Sequence, residues 1–251
     1  MTATTGRARG IAGFAIFTIA MLMVFIGLGV WQLQRRLEKH ALIAALTERL
    51  AAEPSALPSP SDWSQLTAAK DEFRRVRFSA TYERRPDAMV YSSGSSVRED
   101  ISGPGTWAFL PARLENGETV VINTGFVPNT MQDRAVEDRA VAPLITSQPA
   151  MLTGYIRFPE SAGLLTPAEN PARRLWFTRD HLAMARALNW QSVAPFYIDL
   201  EQPVPPYGIP KPGPLEVHLK DDHMQYAITW FALAGAVAIA FGVWARGQAR
   251  R

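Results

Sequence analysis

Residues 224–245 read MQYAITWFALAGAVAIAFGVWA, and residues 10–32 read GIAGFAIFTIAMLMVFIGLGVWQ. No charged side chain interrupts 224–245 or 10–34, and neither run holds a proline. As helices they would be about 33 and 37 Å long at 1.5 Å per residue. Both lengths exceed the roughly 30 Å hydrocarbon core of a bilayer. The two runs are therefore read as spanning helices. The chain has 251 residues, is 47% hydrophobic and has a mean hydropathy of -0.04.

A cleavable signal peptide competes for the first run, with Arg7 and Arg9 as its basic start. Against it, the apolar stretch is long and runs straight into Trp31, Arg35 and Arg36, and Gly27-Leu28-Gly29 is a poor cleavage site. Only about ten residues precede the run, which argues against a mitochondrial presequence and for a bacterial protein. Two spans put both termini on one side. The tails hold Arg7, Arg9, Arg246, Arg250 and Arg251 and no acid. Taking those five from 26 basic residues leaves 21 in the loop, against all 23 acidic ones. The positive-inside rule then places both termini in the cytoplasm and the loop in the periplasm of a bacterial inner membrane. The expected division is 1–10 cytoplasmic tail, 11–33 first span, 34–222 periplasmic domain, 223–245 second span and 246–251 cytoplasmic tail.

The basic pI of about 9.4 is thus a topology signal. Basic and aromatic residues form no stripe, so nucleic acid is not an expected partner. The absence of cysteine excludes disulfides, thiolate metal sites and covalent haem attachment. No G-x-S-x-G, Walker loop or H-E-x-x-H is present, so a non-enzyme is expected and a tethered hydrolase is disfavoured.

Within the loop, residues 35–52 keep helical spacing and continue the first span, until Pro54, Pro58 and Pro60 stop it. In RRVRFSATYER, residues 74–84, apolar and polar positions alternate, as in a half-buried strand. MVYS at 89–92 is a second strand, and 93–105 is read as a loop. Glu115-Asn116-Gly117 separates TWAFLPARL from ETVVINTGFVP, and Asn-Gly between apolar runs is a hairpin signal. Residues 129–149 are read as a polar excursion. MLTGYIR, then a short strand and helix in ARRLWFTRDHLAMARALN, then the strand APFYIDLE follow. Six prolines between Pro203 and Pro214 make a stiff connector to the second span. The expected class is an α+β membrane protein: two transmembrane helices flanking a strand-rich antiparallel periplasmic domain.

Four histidines are present. His40 on a charged helix and His181 in the turn Arg179-Asp180-His181 are read as surface residues. His218, Asp221, Asp222 and His223 form a local H-x2-D-D-H, a weak divalent-cation pattern. His223 stands apart because it opens the second span. An ionisable residue at a membrane helix entrance is a functional candidate. An interfacial histidine that anchors the helix is the equal alternative. His223, Tyr226, Trp230 and Leu233 fall on one helical stripe. Such a stripe suits a large flat ligand such as haem, whose iron takes a neutral imidazole. An aromatic belt also accounts for Trp31 and Tyr226. Ala234, Ala238 and Gly242 offer a small-residue seam toward the first span.

Three stretches carry a family resemblance. LGVWQLQRRLEK at 28–39 resembles a Gly-x-Trp-Gln-x-x-Arg segment. ETVVINTGFVP at 118–128 resembles Val-x-Val-Asn-x-Gly-Trp-Val-Pro, with Phe126 in the tryptophan's place. DDHMQYAITWFALA at 221–234 resembles Asn-Asn-His-Leu-x-Tyr-Ala-x-Thr-Trp-Phe. All three are features of the Surfeit-one family, also called Shy-one-like, assembly factors of haem-copper cytochrome c oxidase. Asp221 and Asp222 replace the family's asparagines, and Leu37 stands where tryptophan is frequent. The resemblance implies an assembly factor that binds haem a and aids its insertion into, or retention by, oxidase subunit I. It implies His223 as the axial ligand of the haem iron, and it implies subunit I, or else the haem a synthase, as a partner in the membrane. On that reading Tyr226 and Trp31 cover the macrocycle, and Arg35, Arg36 or Lys220 offsets its propionates. The alternative is a cofactor-free structural chaperone that docks on the oxidase.

Overall fold

The chain, described here by a computed structural model over residues 3–95, 97–216 and 222–249, divides into two compact units. One comprises Met1–Ala44 with Leu219–Arg251, the other Ala45–His218. In order the elements are α1 (Ala3–Ala51), β1 (Ser55–Ala56), α2 (Ala68–Asp71), β2 (Arg75–Tyr82), β3 (Ala88–Gly94), β4 (Ser102–Leu114) and β5 (Thr119–Val127). They continue with α3 (Arg134–Val141), β6 (Ala150–Arg157), β7 (Leu175–Trp176), α4 (His181–Leu188), β8 (Val193–Gln202) and α5 (His223–Ala249).

The alternation in 74–84 becomes β2, whose Val76, Phe78, Ala80 and Tyr82 are buried on one face. Among the described residues eight strands form one sheet in the order β1-β2-β6-β8-β5-β4-β3-β7, and β2 also pairs with β4. The extra pairing closes β2, β6, β8, β5 and β4 into a ring, with β3, β7 and β1 attached outside it. Strand β4 makes the closure possible. Its first part pairs with β3 as far as Phe109, and its end pairs with β2 from Ala112. Pro111, which cannot donate to a ladder, sits at this handover, where a missing N–H is tolerated.

Inward side chains such as Val76, Leu110, Ile122, Leu152, Ile156 and Ile198 fill the ring. Trp63, on a 3-10 turn at Pro60–Gln65, belongs to this cluster and meets Phe196 edge-on at 5.5 Å. A second cluster, including Trp107, Phe109, Trp176, Met184, Trp190 and Tyr197, packs α4 on the outer face. Strand β5 is therefore buried along its whole length. This explains why Val120, Val121 and Ile122 are consecutively apolar rather than alternating.

The hairpin expected at Asn116-Gly117 joins β4 to β5, with Gly117 at φ +88. The expected antiparallel sheet is corrected to a mixed one: β1–β2, β3–β7 and β5–β8 are parallel. In each pair the chain returns by a crossover rather than a tight turn, and local alternation carries no signal for that. The expected loop at 93–105 is shorter, because β3 reaches Gly94 and β4 begins at Ser102. A register shift between Ser92 and Gly94 lets the pairing continue. The polar stretch 129–149 contains α3, capped by Asp133, whose carboxylate accepts from Ala135 N–H at 2.8 Å.

His181 is a further correction: it is fully buried, not on the surface. Asp180 caps α4, so His181 occupies the first turn and faces the sheet. Its ring lies 5.4 Å from that of Tyr197, and its Nε2 donates to Ala194 O at 3.0 Å. Burial pushes its pKa down to about 4.

Candidate functional site

Helices α1 and α5 are long and apolar enough to cross a membrane. Within their unit they run antiparallel, as a ladder of contacts shows. Phe14 meets Trp244 at 4.5 Å and Phe25 stacks on Trp230 at 5.7 Å. Gly29 lies against Phe231: an added Cβ would come within 2.6 Å of its ring. At the head of α5, His223 Nδ1 lies 2.7 Å from Gln32 Oε1. Phe25, Gly29 and Gln32 are spaced i, i+4, i+7, one stripe of α1.

The expected seam of Ala234, Ala238 and Gly242 is met at Ala234, which is buried, and not at Ala238. Ala227 and Ala234 are buried and Trp230 is half-buried, whereas Ala238 is exposed. Positions 227, 230 and 234 follow a coiled-coil-like period toward the partner helix, and 238 has already rotated away from it. Most large apolar residues point outward: Ile16, Phe17, Ile228 and Ile239 are exposed. Thr18 is buried, and its hydroxyl returns to Phe14 O at 2.9 Å.

The stripe of His223, Tyr226, Trp230 and Leu233 is divided between two roles. Trp230 packs on Phe25 inside the helix pair, while Tyr226 and Leu233 face outward. His223 is half-buried and is the first residue of α5. Tyr226 N–H closes the first turn on Asp222 O at 3.1 Å. Trp31 and Tyr226 are 49% and 55% exposed, so one side of each ring is open to a ligand or to lipid. Arg35 follows Trp31 by four residues, on the same face. Its guanidinium donates to Glu38 at 2.8 Å in an exposed pair. Lys220, Asp221 and His218 lie outside the described residues. Among the described residues no group of three His, Cys, Asp or Glu is placed to hold a metal ion.

Gln32, in the segment Gly29-Val30-Trp31-Gln32, is not singled out by the sequence patterns above. The available signal was an amide within an apolar run, one residue from Trp31. The donor set fits haem in one respect. A single imidazole held at one ring nitrogen would leave the other to donate its lone pair to the haem iron.

In the sheet domain the second quoted motif has a structural role. Asn123 Nδ2 donates to Asp199 Oδ1 at 2.6 Å, and Arg157 Nη1 donates to Asp199 Oδ2 at 2.8 Å. Gly125 at φ +127 lets Lys211 close against β5, and Phe126 and Lys211 exchange backbone hydrogen bonds at 3.1 and 2.8 Å. The motif thus ties the proline-rich connector to the ring.

A profile of the SURF1 family matches residues 19–235. A SURF1-like protein of Monosiga brevicollis is 30% identical over 237 residues, covering 91% of this chain and 85% of that protein. Surfeit locus protein 1 of Rattus norvegicus is 32% identical, covering 90% of this chain and 72% of its own. The Homo sapiens protein of that name is 32% identical, with 84% and 71% covered.

Proposed function

The chain belongs to the SURF1 family, and from that premise we propose that it is an assembly factor for haem-copper cytochrome c oxidase that binds haem a through His223. It spans the bacterial inner membrane twice on this reading, with the sheet domain in the periplasm. Its partners are oxidase subunit I and the haem a synthase. Two observations support the membrane placement: the long apolar helices and their outward-facing Ile, Phe and Val side chains. Such surfaces are costly in water and neutral in lipid.

The observation that carries the haem reading is His223 itself. It is an imidazole at the head of α5, in the segment that resembles the family signature, half-buried and anchored to α1. Bound haem a would supply an iron that accepts one nitrogen lone pair, an apolar ring and two anionic propionates. His223 would donate that lone pair. Trp31 and Tyr226 would cover apolar ring surface, which favours burial. Arg35 would share its charge between Glu38 and a propionate. The protein's contribution is to hold and orient, and no bond is made or broken by its side chains.

The test is a visible spectrum of the full chain purified from cells that make haem a. The wild type should carry a Soret band, and His223→Ala should lose it while remaining inserted. Unchanged haem content in His223→Ala would leave only the interfacial-anchor reading. A haem-free wild type whose gene deletion still lowers assembled oxidase, with b-type haems retained, would favour the cofactor-free chaperone.

A further inference from the structure

We infer that Gln32 is the positioning residue of the His223 site, holding the ring as the Nδ1–H tautomer with its lone pair on Nε2; this rests on the haem reading of His223. The two residues are 191 positions apart in sequence and 2.7 Å apart in space. The acceptor atom is an amide carbonyl oxygen, which can only accept. Nδ1 must therefore carry the proton, and a neutral ring then has its ligating pair on Nε2. A free imidazole exchanges between both tautomers, and only the one protonated at Nδ1 leaves the lone pair on Nε2.

The contact is built on rigid elements. The Phe25–Trp230 stack at 5.7 Å fixes the rotation of α1 against α5 two turns below. Gly29, with no Cβ to strike Phe231, allows the helices the close approach that brings Gln32 within reach. A ligating histidine gains when its second nitrogen is held by an acceptor, because ring orientation and basicity are set before the metal arrives. An amide supplies the acceptor without bringing a second charge to the membrane boundary, where unpaired charge is costly.

The experiment uses the full chain in detergent, with nitrogen-15-labelled histidine, and compares wild type, Gln32→Leu, Gln32→Glu and His223→Ala. His223→Ala identifies the His223 signals. In the haem-free wild type, Nδ1 should carry the proton and Nε2 should show an unprotonated shift. Gln32→Leu should give averaged tautomers and bind haem about 10–100-fold more weakly. Gln32→Glu should restore binding and move the haem reduction potential negative, because a carboxylate acceptor makes the imidazole a stronger donor. Circular dichroism and a monodisperse elution profile confirm that each variant is folded. A wild-type neutral ring with its proton on Nε2 and a bare Nδ1 would overturn the proposal. So would a Gln32→Leu protein that keeps both the single tautomer and wild-type affinity. A His223→Ala protein that keeps its haem would instead overturn the ligand assignment, and with it the site that Gln32 serves.

Discussion

Arg157 and Asp199, on neighbouring strands β6 and β8, form a buried ion pair with Nη1 and Oδ2 2.8 Å apart. Asn123 of β5 donates to the other carboxylate oxygen, and Glu72 accepts from Arg157 Nε at 3.1 Å. Three adjacent strands of the ring are thereby joined by one carboxylate. Removing that carboxylate leaves a guanidinium buried without its main partner, which typically costs about 3–5 kcal/mol. Asp199→Ala should lower the denaturation midpoint of the full chain accordingly. The apolar pair Arg157→Met with Asp199→Leu should cost less than Asp199→Ala alone. If the double variant is the worse of the two, the pair is a net stabiliser and the desolvation argument fails.

Gly125 should not tolerate a side chain. Its φ of +127 is unfavourable for L residues, and a Cβ would strike the Lys211 backbone, including Lys211 O at 2.6 Å. Gly125→Ala should break the Phe126–Lys211 bridge and sharply reduce folded yield. Gly163→Ala is the control: its nearest neighbour is Thr166 Oγ1 at 3.5 Å, ordinary contact. Equal yields from both would show that the connector is not held through Gly125.

Glu137 should make stability depend on pH. It is fully buried, Thr106 Oγ1 donates to its Oε2 at 2.6 Å, and among the described residues Oε1 has no hydrogen-bond partner. Burial is the main cause that pushes its pKa up from 4.5 to about 7; Thr106 and Arg134 oppose the shift and Asp87 adds to it. The folded state therefore holds a proton that the unfolded chain has already released. Stability from this group is complete below about pH 4.5, declines as pH rises through the interval to about 7, and stays lost above it. Glu137→Gln should remove that decline and raise stability at pH 8 by an amount on the order of 3 kcal/mol. Melting curves at pH 5 and pH 8 provide the check; parallel losses at both would contradict it.

Orientation in the membrane is open to a direct assay. A reporter active only in the periplasm should work when inserted at Gly117, in the β4–β5 turn, and fail when fused after Arg251. The reverse result would place the sheet domain and His223's end of α5 on the cytoplasmic side.

Much of this protein is written locally. The two apolar runs determine long helices, because twenty-odd uncharged residues leave no other economical way to satisfy the backbone in an apolar setting. The alternation in β2 and the Asn116-Gly117 turn are likewise short-range physics, and each is found where the sequence puts it. His223 was legible as a candidate because an imidazole at the edge of an apolar run is conspicuous without any partner being known.

The tertiary structure alone decided what depends on distant neighbours. Parallel pairing of β5 with β8 and closure of the ring through β2–β4 join segments dozens of residues apart, and a period of two is the same for parallel and antiparallel neighbours. The burial of His181 follows from the face that α4 turns to the sheet. The seam uses Ala227 and Ala234 rather than Ala238 because helix rotation is set by the packing of Phe25 on Trp230 and Gly29 on Phe231. Gln32 reaches His223 for the same reason. Its sequence neighbourhood fixes its depth along α1, but only the second helix makes its carbonyl oxygen the acceptor for a ring 191 residues away.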